Sequence, residues 1–191
     1  GTLQVWASAM VVLPVFLQAP WVHLYPFSAC LFTFVLLGGG VWLVLFGGSK
    51  WSRAGSLLVG VSGSWLGGCL FWGWLREHPV MHLPVEAIAL PLAFVGLETR
   101  WRIGSGFYLS CLLGAAFTDL MMLFTGVMHA WPDVVKAPLI EAPQLLQQTA
   151  EQLFKPQPIL LLIVAAALIM FIANLMRQRA IPHSLSGSAW L

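Results

Sequence analysis

The sequence contains very few charged residues for its length. Only 8% of its 191 residues are Asp, Glu, Lys or Arg, whereas 59% are hydrophobic. Soluble domains carry about 25% charged residues, so this composition is typical of a chain embedded in lipid. The formal net charge is only +2 and no long basic run is present, so we expect no nucleic-acid partner.

The sequence also lacks the patterns that indicate metal or catalytic sites. Its three cysteines, Cys30, Cys69 and Cys111, lie in apolar segments without a CxxC spacing. This placement favours buried structural thiols over a disulfide framework or a zinc knuckle. The sequence contains no Ser/His/Asp set, phosphate loop or kinase motif. We therefore expect no resident metal and no enzymatic activity.

Apolar segments divide the chain into membrane spans. A span needs about 20 mostly apolar residues, so residues 1–191 allow one all-α transmembrane bundle of about six helices. The expected spans are residues 5–22, 27–46, 56–75, 85–97, 103–128 and 158–176. The fourth is short and contains Pro91, so we expect it to be tilted or re-entrant. A seventh helix beyond Leu191 is a further expectation, because apolar residues return in the tail.

The longest polar stretch, residues 129–157, is the surface loop of this scheme. Within it, APQLLQQTAEQLF predicts an amphipathic helix. Its apolar residues lie roughly on one side and are Leu145, Leu146, Leu153 and Phe154. A helix of this kind lies on the membrane surface or against a partner.

Small residues recur at every fourth position in two of the spans. They are Ser56, Gly60, Ser64 and Gly68 in the third span and Gly106, Ser110, Gly114 and Thr118 in the fifth. Such faces let helix backbones approach closely, so we expect helices to pack there, although glycine is common in membrane helices generally. The triplet Gly38-Gly39-Gly40 in the second span likewise lets a helix or a flat ligand approach.

The basic residues indicate the orientation of the spans. Alternating spans place most of them on one side, which collects Lys50, Arg53, Arg100, Arg102, Arg177 and Arg179 against Glu98. Lys and Arg favour the cytoplasmic side, so we expect both termini to be cytoplasmic or stromal. The same scheme gathers His23, His78, His82 and His129 on the far side. Histidines gathered in this way could bind a metal, ligate a pigment or relay protons.

The stretch Trp72–Pro91 is rich in polar groups that need partners inside a membrane. These groups are Arg76, Glu77, His78, His82 and Glu86. One interpretation is an ion-paired turn of Arg76 with Glu77 or Glu86. A second is a pigment or ligand site, with candidate residues His78, His82, Trp72, Trp74, His23 and His129. A structural metal site is disfavoured, because Pro79 and Pro84 interrupt the helix that would align its ligands.

The run GSWLGGCLFWGWLREHPVMHLPVEAIALPLAFVGL, followed by FYLSCLLGAAFTDL, resembles an uncharacterised cyanobacterial family of integral membrane proteins, domain of unknown function 3120. The resemblance implies an oxygenic phototroph and a photosynthetic thylakoid membrane. It brings no established catalytic residues. Members of that family continue into a further helix, which agrees with the expectation of a seventh.

The expected function is a non-catalytic accessory or assembly subunit of a photosynthetic complex such as a photosystem. Its expected contacts are membrane lipids, the larger protein complex, and chlorophyll or carotenoid. The alternative is a small carrier or a proton- or ion-conducting protein, which would use the far-side histidines and Asp119. Asp119 lies inside the fifth span, where a charge faces either a neighbouring helix or a cavity.

Overall fold

The protein is helical wherever its structure is described. The computed structural model describes residues 2–138 and 140–180, and none of these residues lies in a strand. They divide into two compact units, one ending at Ala116 and the other beginning at Phe117. The prediction of an all-α fold is confirmed.

The first unit begins with three long helices, α1 (Thr2–Leu24), α2 (Pro26–Phe46) and α3 (Gly48–Leu70). A π-helical turn, Phe71–Leu75, extends α3. Short pieces follow: a 3₁₀ turn at Pro79–Met81, α4 (His82–Glu86), a second 3₁₀ turn at Ala87–Ala89, and α5 (Leu90–Gly96). The remaining helices are α6 (Arg102–Phe124), α7 (Val127–Lys136), α8 (Ala142–Leu153) and α9 (Pro156–Ala180).

Four helical stretches among the described residues are long and apolar enough to cross a membrane. They are Pro26–Phe46, Trp51–Leu75, Pro79–Gly96 and Arg102–Phe124. A fifth is added if Ala142–Leu153 and Pro156–Ile172, which meet at 77°, form one broken span. The expected first span lies within α1, and its crossing of the membrane, like the count of six, stays a prediction. The expected tail beyond residue 180 lies outside the described residues.

The fourth stretch begins at Pro79, whereas the sequence predicted a start at residue 85. Its three prolines each stand in the first turn of a short helical piece: Pro79 opens a 3₁₀ turn, Pro84 is in α4 and Pro91 is in α5. A proline there lacks only an N–H that has no acceptor within its own helix. The prolines therefore divide this stretch of 18 residues without ending it.

Three helical stretches pack on α3 through contacts between backbones. A Cβ added to Gly40 of α2 would lie 2.8 Å from the carbonyl oxygen of Gly55. On another side of α3, a Cβ added to Gly60 would lie 2.1 Å from the carbonyl oxygen of Gly104 in α6. A Cβ added to Gly67 would lie 2.9 Å from the Cα of Glu86. Only the absence of a side chain allows these approaches.

The relative directions of α1, α3 and α6 follow from contacts near their ends. The starts of α3 and α6 lie together, because the Gly104 N–H donates to the Ser56 hydroxyl oxygen at 3.0 Å. The ends of α1 and α3 also lie together, since Val22 is next to Gly73. Arg53, Arg100 and Arg102 therefore stand at one end of this unit, and the opposite end carries His23, Arg76 and His78.

The two predicted packing stripes have different surroundings. In α3, Gly60 and Gly68 are buried and Ser64 is partly buried. In α6, the residues that face α3 include Gly104, Phe107 and Tyr108. Gly106 is partly buried, Ser110 is exposed, and a Cβ added to Gly114 would meet nothing within 4 Å. The face of α6 that packs inside this unit is thus a different one from the predicted stripe.

The second unit contains the amphipathic helix that the sequence predicted, now α8. Leu145 and Leu153 are partly buried, and α8 contacts α7. Leu146 is 55% exposed and Phe154 is 75% exposed. Leu145 and Leu153 therefore lie on the packed side of α8, whereas Leu146 and Phe154 lie on its outer side.

Replacing Gly60 by alanine should destabilise the protein, because the backbone of Gly104 cannot move away from a methyl group. Overpacking of this kind costs about 1–3 kcal/mol. Gly114→Ala is the matched control, where alanine should favour the helix by about 0.5–1 kcal/mol. Thermal unfolding in mild detergent measures both variants. Equal unfolding temperatures would contradict the close contact of α3 and α6.

Candidate functional site

The end of the first unit that carries the histidines begins with an irregular turn. The π-helical turn Phe71–Leu75 closes α3, and such turns occur frequently at functional sites. Phe71 is buried, whereas Trp72 is partly buried and Trp74 is exposed. The ring of Trp74 lies edge-on to Phe27 at a centroid distance of 5.3 Å. The turn thus sends one aromatic ring inward and another outward.

Arg76 follows this turn and connects it to the end of α1. Its Nη1 lies 2.8 Å from Nδ1 of His23. Arginine can only donate a hydrogen bond, so Nδ1 accepts and the neutral imidazole carries its proton on Nε2. The far end of this unit therefore joins α1 to α3 through a hydrogen bond whose donor carries a charge.

His82 and Glu86 form a second polar pair at the same end. The Nε2 atom of His82 lies 3.2 Å from Oε1 of Glu86, one turn later in α4. The His82 ring also packs against Phe71 at a centroid distance of 4.5 Å. Each of the two paired side chains is about one-fifth exposed, at 20% and 21%. This pair lies near the start of the fourth stretch and packs against the π-helical turn that extends α3.

Tyr108 of α6 stabilises the break in the fourth helical stretch, where α4 ends at Glu86 and a 3₁₀ turn follows. Its hydroxyl group donates to the carbonyl oxygen of Glu86 and accepts from the N–H of Ala89 at 3.2 Å. The hydroxyl takes the place of a backbone hydrogen bond of the helix. Insertion of a side chain in this way is a recognised cause of helix bending. Tyr108 is 3% exposed, so this replacement takes place out of contact with solvent.

A layer of aromatic side chains lies beneath the polar pairs. Trp21, Phe32 and Trp65 have ring centroids 5.2 to 6.0 Å apart. The indole N–H of Trp65 donates to the carbonyl oxygen of Ala29 at 2.9 Å. The Gln18 amide donates to the carbonyl oxygen of Trp65 at 2.6 Å. These bonds give polar groups of α1, α2 and α3 their partners inside the apolar layer.

The other predicted residues lie around this site or in the second unit. His78 and Glu77 are exposed beside the π-helical turn. His129 is exposed in α7, and Asp119 is partly buried in the later part of α6. Both belong to the second unit. In the first unit the structure joins four predicted residues in two pairs, His23 with Arg76 and His82 with Glu86.

The described residues contain no group of three or more His, Cys, Asp and Glu side chains that could hold a metal ion. What the site shows is a set of paired polar groups above a layer of aromatic rings. Such an arrangement fixes the ends of helices relative to one another.

The sequence was compared with known protein families, curated proteins and solved structures. Residues 7–191 match the family described as protein of unknown function (DUF3120). The chain belongs to this family. No curated protein and no solved structure matches it.

Two important residues of this DUF3120 protein were missed by sequence reasoning, Gln18 and Tyr108. Each had a detectable signal. Gln18 is the only glutamine within the expected first span, and Tyr108 is one of only two tyrosines in the chain. A polar group in an apolar span needs a partner, so both could have been expected to bond to a neighbouring helix.

Replacing Tyr108 by phenylalanine should destabilise the protein without changing its shape. The change leaves the N–H of Ala89 and the carbonyl oxygen of Glu86 without this partner, and an unsatisfied buried group costs about 1–3 kcal/mol. The matched control is Tyr25→Phe, since Tyr25 is exposed. Unfolding in mild detergent should separate the two variants. The bridging role of the hydroxyl would be refuted by equal stability.

Proposed function

We propose that this DUF3120 protein is a non-catalytic accessory or assembly subunit of a larger membrane complex, and that the complex is photosynthetic and lies in a thylakoid membrane. Two arguments support the proposal. The first is the outer surface of α2. The second is the sequence run around Trp65–Leu97, whose resemblance implies an oxygenic phototroph.

The outer surface of α2 is the observation that carries this proposal. The helix packs on α3 through a stripe of buried residues, Ala29, Thr33, Gly40 and Val44. Its opposite face is apolar, with Phe34 70% exposed and Trp42 61% exposed. Gly38 lies between these two rings at a spacing of four residues each way, so all three share one face. We call Phe34, Gly38, Gly39 and Trp42 the α2 notch.

The two glycines of the α2 notch are exposed on the part of the protein that the structure describes. A Cβ added to Gly38 or Gly39 would meet nothing within 4 Å. Glycine in a helix is less stable than alanine by about 0.5–1 kcal/mol. What an exposed glycine offers in a membrane is close approach of a second helix or a flat molecule. Phe34 and Trp42 add ring faces on either side of that approach.

The occupant that we propose for the α2 notch is a transmembrane helix of the complex, with chlorophyll or carotenoid as a further contact. The polar pairs favour a structural role for the end of this unit that carries His23 and His82. His23 is bonded to Arg76, and His82 to Glu86. Two of the four histidines offered by the alternative, a proton-conducting carrier, thus already have internal partners.

Filling the notch should separate the protein from its complex. Gly38→Leu places a side chain where the unit itself has open space, so folding should be preserved. In mild detergent, the tagged wild-type protein should migrate with a large pigmented complex on a native gel, and the variant should migrate mostly alone. Gly114→Leu, at an equally open glycine of α6, is the matched control and should migrate like the wild type.

The contrary result is a wild-type protein that migrates alone and free of pigment under the same conditions. Ion or solute flux through liposomes that contain only the purified protein would then favour the carrier. Loss of the complex in both leucine variants would show that the notch has no special role.

A further inference from the structure

Two of the three cysteines lie side by side between α2 and α3. The thiol groups of Cys30 and Cys69 are within hydrogen-bonding range of each other. Cys69 is fully buried, and Cys30 packs against the same apolar cluster. Both are free thiols in this structure. The cysteine spacing in the sequence gave no sign of this pair, because 38 residues separate the two positions.

The backbone beside the two thiols is held by a specific bond. Trp65 lies one turn before Cys69 and donates its indole N–H to Ala29, the residue next to Cys30, at 2.9 Å. This bond keeps α2 against α3 at the level of the sulfur atoms. A disulfide requires an S–S distance of about 2.05 Å, so the two thiols must move closer together before the bond can form.

Gln18 supplies a polar contact to the pair. Its Nε2 donates a hydrogen bond to Sγ of Cys69 at 3.2 Å. Loss of the thiol proton leaves negative charge on sulfur, and a hydrogen-bond donor stabilises that charge. Cys111, by contrast, packs with a different apolar cluster, around Leu57, Val61 and Phe107. One cysteine of the three thus serves as an internal control.

We propose that Cys30 and Cys69 are a redox-active dithiol that a lipid-soluble quinone oxidises to a disulfide. Two S–H bonds break and one S–S bond forms. The two electrons and two protons pass to the quinone, which becomes a hydroquinone, so atoms and electrons balance. The disulfide joins α2 covalently to α3, and this site is independent of the function proposed for the α2 notch.

The location of the pair selects the oxidant. Both cysteines lie within candidate membrane spans, Pro26–Phe46 and Trp51–Leu75. The fully buried Cys69 belongs to an apolar cluster with Val22, Ala29 and Trp65, which a hydrated oxidant does not enter. A quinone dissolves in the hydrocarbon region and reaches the partly buried Cys30 from the lipid side.

The test counts free thiols in the full-length protein. Membranes are treated with duroquinone, the protein is denatured, and a heavy maleimide reports each remaining thiol as a gel shift. Wild-type protein should go from three reactive cysteines to one, and dithiothreitol should restore all three. Ferricyanide, which does not enter the bilayer, should leave all three reactive. The Cys111→Ser variant should lose both of its remaining thiols.

Two results would overturn this proposal. One is a wild-type protein that keeps all three thiols after quinone treatment. The other is a loss of thiols that occurs equally in the Cys30→Ser variant or resists dithiothreitol, because quinone addition to single cysteines would then explain it.

The Gln18→Leu variant should react about tenfold more slowly, the effect of one hydrogen bond to a developing charge. An unchanged rate would contradict the role assigned to that amide.

Discussion

Contact between the backbones of α3 and its neighbours is the constraint on which the first unit depends. In lipid, burying one apolar helix against another brings little hydrophobic gain, so close packing and hydrogen bonds must hold helices together. Gly55 provides that packing on one side of α3, and Gly60 and Gly67, two helical turns apart, provide it on another side. The result is a central helix: 61% of the most apolar part of its span is buried, against 22% for α2. The other helices consequently keep broad apolar faces for lipid or partners.

The polar bonds of this unit depend on the same close approach. When backbones are near each other, short side chains reach the neighbouring main chain. Ser56 bonds to Gly104 in this way, and the hydroxyl of Tyr108 enters the break after Glu86. The break exists because the prolines of the fourth stretch divide it into short helical pieces. Local sequence thus creates the polar end, and the packing around α3 gives that end its partners.

The parts of the fold that depend on local pattern could be predicted from the sequence. The second span was expected at residues 27–46 and α2 is Pro26–Phe46; the fifth was expected at 103–128 and α6 is Arg102–Phe124. Such limits follow from runs of apolar residues and the prolines and charges that flank them. The buried positions of Gly60 and Gly68 agree with their stripe, although a repeat of small residues does not reveal which face of α6 is turned inward.

Pairings between distant residues could not be predicted in this way. Glu77 and Glu86 were the partners expected for Arg76 from their closeness in sequence. The structure adds His23, 53 positions away, and places Glu86 against His82. These pairings depend on which helix ends meet, and that depends in turn on the direction of every helix between them. The contact of Cys30 with Cys69 has the same origin.

The most direct test of this account is whether α3 crosses a membrane with its two ends on opposite sides. Arg53 and His78 are exposed near these ends, so each can be replaced by cysteine in a variant that lacks the native cysteines. A maleimide that does not cross membranes is then applied separately to sealed right-side-out vesicles and to sealed inside-out vesicles. We predict that Arg53→Cys and His78→Cys react from opposite faces. Reaction of both from the same face would contradict a membrane-spanning α3 at the centre of the unit.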